Sequence, residues 1–324
     1  MKYIELHLHL DGAIRLNTLY EIAKKNNKYI LKDEFSEQVS IGKKKNFKSL
    51  TQCLKVFKNI LKLIEGNKEY LERIAFEICE DQYNNNVIYT ELRYNPHILK
   101  GNLSLDEVIL SINNGIKRGK EKYNIHMNCI LCCLRSKPEY SMDIAKLCIK
   151  YRDNGIVGID LAGDEHNYSD KSHQEAFDFA HQHQINITIH AGECENYENI
   201  YSALNNLHAK RIGHCYASVK NIKLLQYLKK QNIHIECCYT SSLMTKSVGK
   251  QHIHPIQKFH NYNLNYSINT DDPSIFNTNI KKEMKIIQKK LNLNSDDLNQ
   301  IIVNSINSSF ASNDLKKILL NKIY

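Results

Sequence analysis

Two histidines stand two residues apart near the start of this 324-residue chain, in Glu5-Leu6-His7-Leu8-His9-Leu10-Asp11-Gly12-Ala13. In a β-strand, side chains two apart share a face, so both imidazoles converge on one small volume. Neutral imidazoles brought together can share a metal ion. They can equally be a pair of satisfied core histidines, and the pair alone does not separate these readings. What decides between them is whether other segments deliver a third nitrogen, a carboxylate and an acid–base group to the same place.

Several segments have the required residues. His190-Ala191-Gly192-Glu193 follows the apolar run Ile185–Ile189, Gly213-His214 ends another run, and Asp160-Leu161-Ala162-Gly163-Asp164-Glu165 ends a third. Tyr266–Asn269 leads into Thr270-Asp271-Asp272-Pro273. Singly, each polar residue is an ordinary cap or turn residue. Together they gather imidazoles and carboxylates at strand ends. His7, His9, His190 and one aspartate form a thiolate-free N/O set, the character of a hydrolytic zinc site with a position left for water. Zinc lowers the pKa of such a water towards ~7. Glu193, three residues past His190, is placed as a proton donor or acceptor that is not itself a ligand. His214 is placed as a base or electrostatic partner.

These residues need elements to hold them. Short β-rich runs at 3–9, 87–94, 125–134, 156–161, 185–190, 211–214, 233–238 and 264–269 alternate with helix-length segments. One of those segments opens on the capping box Ser104-Leu105-Asp106-Glu107. Helical patterning also marks 143–151, 174–182 and 222–231. Eight strand–helix units without a domain-sized break predict an α/β fold, a (β/α)8 TIM barrel, with residues 1–324 as one domain. No Gly-x-Gly-x-x-Gly follows the first strand, which disfavours a doubly wound dinucleotide fold. The connection from Gly12 to Asn86 is too long for one helix. It predicts additional helices inserted after strand 1, including 49–65 and 69–84, across the mouth of the barrel. Barrel enzymes carry their chemistry at the C-terminal strand ends, where the polar residues above fall.

Composition narrows the partners. The net charge is +9, from 44 Lys and Arg against 35 Asp and Glu. Apart from Lys43-Lys44-Lys45, the lysines are scattered among acids and asparagines, and no arginine–aromatic stripe appears, so no nucleic-acid partner is expected. No apolar run approaches the ~20 residues of a membrane span. Only three residues precede Ile4-Glu5-Leu6, no room for a signal peptide, and the expected location is cytoplasmic. The ten cysteines then read as reduced thiols, and Cys129-x-x-Cys132, lacking a second half, as core packing rather than a zinc ribbon.

The chain resembles the adenosine deaminases of the zinc-dependent amidohydrolase superfamily. The resemblance rests on Glu5–Ala13, Glu91-Leu92-Arg93-Tyr94-Asn95-Pro96, Ile159–Glu165, His190–Glu193, Arg211-Ile212-Gly213-His214 and Asn269–Pro273, in family order, with a family-like tail at Asn304–Phe310. It implies that His7, His9, His190 and Asp271 bind one Zn(2+) per chain. It implies that Glu193 protonates purine N1 and that His214 orients and deprotonates the attacking water. His9 and Asp11 would contact substrate, Asp11 at the ribose 5′-hydroxyl, with Asp272 at N7 and the Gly163 N–H at N3. The implied reaction converts adenosine and 2′-deoxyadenosine to inosine products and ammonia, with a small-molecule purine nucleoside as the partner and a monomer favoured. Leu50, Cys53, Leu54 and Phe57 have the spacing of a helix face and resemble the family's hydrophobic lid.

Two segments depart from the family pattern. Cys215 stands where glycine is usual after the histidine, and a side chain there is expected to crowd the pocket or tilt His214. Tyr239-Thr240-Ser241-Ser242 replaces the usual residues after strand 7. Two other functions stay open. One is a related deaminase acting on N6-modified AMP or 5′-modified adenosines, against which Asp11 would repel a phosphate. The other is a catalytically weak nucleoside-binding or growth-factor-like module.

Overall fold

In the computed structural model, which describes residues 1–26, 32–40, 47–194, 196–248 and 253–323, eight strands run β1 Tyr3–His9, β2 Val87–Tyr94, β3 His126–Leu134, β4 Ile156–Ala162, β5 Asn186–Ala191, β6 Arg211–His214, β7 His234–Cys237 and β8 Tyr266–Ile268. Each pairs in parallel with the next in chain order. The ring is completed just beyond β8. There His9 N–H donates to the Asp271 carbonyl and Asp271 N–H to the His7 carbonyl, both at 3.0 Å. The chain therefore forms the expected (β/α)8 barrel. Lys43-Lys44-Lys45 lies outside the described residues. Among the described residues no helix is long and apolar enough to cross a membrane. All ten cysteines are free thiols, and all but Cys194 are buried.

Among the described residues, four helices occupy the long first connection: α1 Leu16–Lys25, α2 Lys32–Val39, α3 Leu50–Ile64 and α4 Lys68–Asn84. Ser49 caps α3 by accepting from Gln52 N–H, and Asn67 caps α4 by accepting from Tyr70 N–H. Helix α3 lies over the mouth of the barrel, as expected. Helix α4 does not. It packs on β2 and, above all, on the helix Leu105–Tyr123 in the outer layer. The cause is close packing at Gly115 and Gly119 of that partner. A Cβ at Gly115 would sit 2.2 Å from the Glu72 carbonyl, and one at Gly119 would sit 2.4 Å from Cys79 Cβ. The capping box at Ser104 and Glu107 forms with both of its bonds.

The interior of the barrel is not apolar throughout. Below the rim, Arg93 donates to Asp160 at 3.1 Å, to Glu236 at 2.8 Å and to the Leu6 carbonyl. Arg211 pairs with Glu236 at 2.8 Å and Glu91 at 2.6 Å. The tail closes the bottom, where Phe310 N–H donates to Glu91 and the Phe310 ring lies 3.7 Å from the Arg211 guanidinium. Buried charges such as these cost much desolvation, and a matched network is worth more for fixing geometry than for net stability. Here it braces strands β1, β2, β4, β6 and β7 against one another.

The lower barrel also sets an acid limit on stability. His234, on β7, is buried between the Asn265 carboxamide oxygen at 2.7 Å and Ser267 Oγ at 2.9 Å. Burial pushes its pKa down to about 4, and burial pushes His254 down to about 4 as well. Above the ordinary histidine value both groups are neutral, folded or unfolded, and nothing is lost. As pH falls from about 6.5 to about 4, only the unfolded chain takes up these protons, so the fold loses stability, at most about 3 kcal/mol per group. The melting temperature is expected to drop through this window, and His234→Gln to flatten part of the slope. An unchanged slope in that variant would remove His234 as a cause.

Candidate active site

At the C-terminal rim, His7 and His9 from β1, His190 from β5 and Asp271 beyond β8 bring four potential ligand atoms within 4.8 Å of one another. His9 Nε2 lies 3.2 Å from His190 Nε2, and Asp271 Oδ1 lies 3.3 Å from both His7 Nε2 and His9 Nε2. Three of the four are oriented from behind. Glu236 holds His7 Nδ1 at 2.7 Å, Asp160 holds His190 Nδ1 at 3.0 Å, and Ser241 Oγ donates to Asp271 Oδ2 at 2.7 Å. Such outer bonds fix which ring nitrogen faces inward. His7 Nε2 is then left buried with no hydrogen-bond partner. Two imidazole nitrogens face each other beside a carboxylate oxygen, an N/O donor set suited to a divalent cation such as zinc. Burial and the Arg93 charge oppose a proton on His7, but Asp271 and Glu236 outweigh them and raise its pKa. Proton and cation thus compete for one lone pair.

Two further side chains stand beside this cluster. Glu193 is buried, receives Ser247 Oγ at 3.0 Å, and its other oxygen lies 3.7 Å from His214 Nε2. Burial, with the charges of Asp271 and Glu165 adding to it, pushes Glu193 up to about 8. Burial also holds His214 well below the usual histidine value. Strand alternation would aim His214 away from the interior that its neighbour Gly213 faces. A backbone φ of +66° turns it back, to a ring separation of 4.9 Å from His7. Cys215 and Asp271 share this left-handed conformation, at φ +61° and +64°. For residues with a side chain it costs roughly 1–3 kcal/mol and clusters at functional sites. Cys215 does not crowd the pocket as expected. Its side chain is fully buried in the hydrophobic core and does not line the cavity beside the cluster.

The cluster opens into a cavity of about 280 Å³, whose wall includes Asp11, Gly163, Glu193, Asp271 and Asp272. Leu50, Cys53, Leu54 and Phe57 of α3 form its roof, so the helix face read from spacing faces the pocket. Burial pushes Asp11 up to about 6. Burial and the charges of Asp271 and Asp11 hold Asp272 well above the carboxylate range, and its Oδ1 is buried without a partner. Gly12 makes room for that group, because a Cβ there would lie 1.8 Å from Asp272 Oδ1. Gly12→Ala is therefore expected to displace Asp272 and lower kcat/KM about a hundredfold, about 2.7 kcal/mol, with the fold and bound metal retained. Steady-state kinetics beside metal analysis checks this. A variant within threefold of wild type would show that Asp272 can move at no cost.

Sequence reasoning missed the supports. Glu236 and Ser247 fall in no motif, Arg93 enters only within a segment carrying the family resemblance, and Ser241 only within a departure from the family pattern. Asp164 and Glu165 serve as braces as well as a family signature. Asp164 accepts from Thr51 of α3 at 2.9 Å, and Glu165 holds the turn after β5.

Fold and rim together define an α/β-barrel with a His/Asp donor cluster and a neighbouring carboxyl–imidazole pair, Glu193 and His214, at its C-terminal strand ends. The chain belongs to the adenosine deaminase family, whose family model matches residues 3–324. It is 34% identical over 340 residues to an adenosine deaminase of Danio rerio, covering 99% of this chain and 94% of that protein. The crystal structure of an Arabidopsis N6-mAMP deaminase superposes with a TM-score of 0.87 at 28% identity, covering 100% of this chain and 97% of the other. An adenine deaminase from Arthrobacter aurescens shares the fold, with a TM-score of 0.90 at 21% identity, covering 99% and 97%.

Proposed function

We propose that the protein deaminates adenosine, and 2′-deoxyadenosine, to the corresponding inosine and ammonia. The observation that carries this reading is the placement of a buried, proton-holding Glu193 and a neutral His214 beside the His7, His9, His190 and Asp271 cluster, within one small-molecule cavity. His7, His9, His190 and Asp271 would hold one zinc ion. When bound, zinc supplies a nucleophilic water at neutral pH.

The chain's own residues then do the rest. Glu193 receives Ser247 on Oε1, which leaves Oε2 to carry the proton it gives to purine N1, and C6 becomes electrophilic. His214, held neutral by burial, takes a proton as water adds to C6 and returns it to the leaving amino group, so ammonia departs while the C6 hydroxyl gives its proton back to Glu193 and becomes the carbonyl. Asp272, favoured in its protonated form, donates to N7, and the Gly163 N–H reaches N3. Asp11 accepts from the ribose 5′-hydroxyl. The roof of α3 excludes bulk water from this exchange.

The resemblance to the N6-mAMP deaminase supports a second reading, an N6-modified nucleoside monophosphate as substrate. Asp11 in the cavity wall weighs against it, since a carboxylate there repels a phosphate. One panel separates the readings. Zinc-loaded protein is incubated with adenosine, deoxyadenosine, 5′-methylthioadenosine, AMP and N6-methyl-AMP, and ammonia or methylamine release is followed. Turnover of adenosine and deoxyadenosine well above the monophosphates is the expected result. Turnover of N6-methyl-AMP without adenosine overturns it, and silence across the panel points to a binding module.

A further inference from the structure

We propose that Glu165 is a positioning residue for the acid Glu193, its carboxylate clamping the three successive backbone amides of the turn that carries this acid. The inference rests on the deaminase reading for the role of Glu193 and on hydrogen-bond geometry for everything else. After β5 the chain turns through Gly192, Glu193 and Cys194, and all three N–H groups point to one side. Glu165, arriving on the loop beyond β4 and itself buried, meets them. Its Oε1 accepts from Gly192 N–H at 2.6 Å and from the Asn199 carboxamide at 2.9 Å. Its Oε2 accepts from Glu193 N–H at 3.0 Å and Cys194 N–H at 3.1 Å. Four donors thus satisfy one carboxylate, and among the described residues no ion-pair partner competes for it.

Three consecutive amides aimed into one concavity make an anion-binding arrangement, and buried amides left without acceptors are costly. The side chain that fills this one comes from a different strand unit, so it fixes the turn in space rather than only locally. Asn199 extends the clamp to the helix Glu198–Asn205. The Glu193 carboxyl projects from the middle of the clamped turn. Its distance to a reacting atom is therefore set by Glu165, and misplacement by about 1 Å can cost about a hundredfold in rate.

The test compares Glu165→Gln and Glu165→Ala with wild type, using metal-loaded protein. In Glu165→Ala, kcat is expected to fall about a hundredfold, with KM within about threefold and zinc content unchanged. Glu165→Gln, which keeps one accepting oxygen, retains more of the rate and serves where the alanine variant does not fold. Amide hydrogen exchange at residues 192–194 is expected to speed up in both variants ahead of the rest of the barrel. Because Glu165 acts through Glu193, adding Glu165→Gln to Glu193→Gln costs no further kcat. Folded Glu165→Gln and Glu165→Ala with kcat within threefold of wild type overturn the proposal, as do unchanged exchange or fully additive losses. Wild-type protein that converts no purine substrate instead overturns the deaminase reading, and the exchange measurement then judges the clamp alone.

Discussion

Glu193→Gln is expected to leave a folded, metal-loaded protein whose kcat is lower by about 10³-fold, about 4 kcal/mol in barrier. Glutamine matches the carboxyl in shape and can still accept from Ser247 and donate a hydrogen bond. It cannot transfer a proton to a purine nitrogen. The wild-type group is suited to that transfer because burial, Asp271 and Glu165 raise its pKa to about 8, so that it holds its proton at neutral pH. Glu193 is not among the four residues whose ligand atoms cluster, so metal content is expected to stay constant. Kinetics and metal analysis on the same preparation check both halves. A kcat within tenfold of wild type would dismiss Glu193 as the acid, and metal loss would make it a ligand instead.

Removing the metal is the second large effect expected. A chelator at mildly acidic pH, where protons compete for His7 Nε2, should strip the protein and reduce turnover below one per cent. One equivalent of zinc per chain should then restore it. The apoprotein should keep its barrel by circular dichroism, since the supporting bonds from Glu236, Asp160 and Ser241 do not involve the ion. It should melt at a lower temperature, because a ligand bound only by the folded state stabilises that state. Metal-free protein with full activity would refute the assignment of His7, His9, His190 and Asp271. So would restoration that needs two equivalents.

Much of this was open to reading because polar residues interrupt apolar runs at their C-terminal ends. His9, His190 and His214 each close such a run, and Asp271 follows one. The eight strand segments follow from the same pattern. The supports were hidden for the same reason. Glu91, Arg93, Arg211 and Glu236 lie inside strands, and only the ring of strands reveals that they meet one another. Helix α4 has an amphipathic pattern that says which face is buried but not against what. Its partner is decided by Gly115 and Gly119 more than thirty residues away. Cys215 is a case of the opposite kind. Its side chain suggested an obstruction, but it lies buried in the hydrophobic core on a left-handed backbone and does not line the cavity.

The seam that joins the last strand to the first has a consequence for how the protein comes to exist. Thr270 N–H donates to Glu5 across 265 positions of sequence, and Leu6 N–H donates to Asn269 across 263. Contacts of such long separation are slow to form, because loop entropy is lost before they reward it. On a ribosome, His7 and His9 emerge long before Asp271, which lies 262 positions beyond His9. Until then β1 has a bare edge and two unsheltered imidazoles. Under the proposed ligand set, the four donors come together only when the ring is complete, so full metal loading would report a finished barrel.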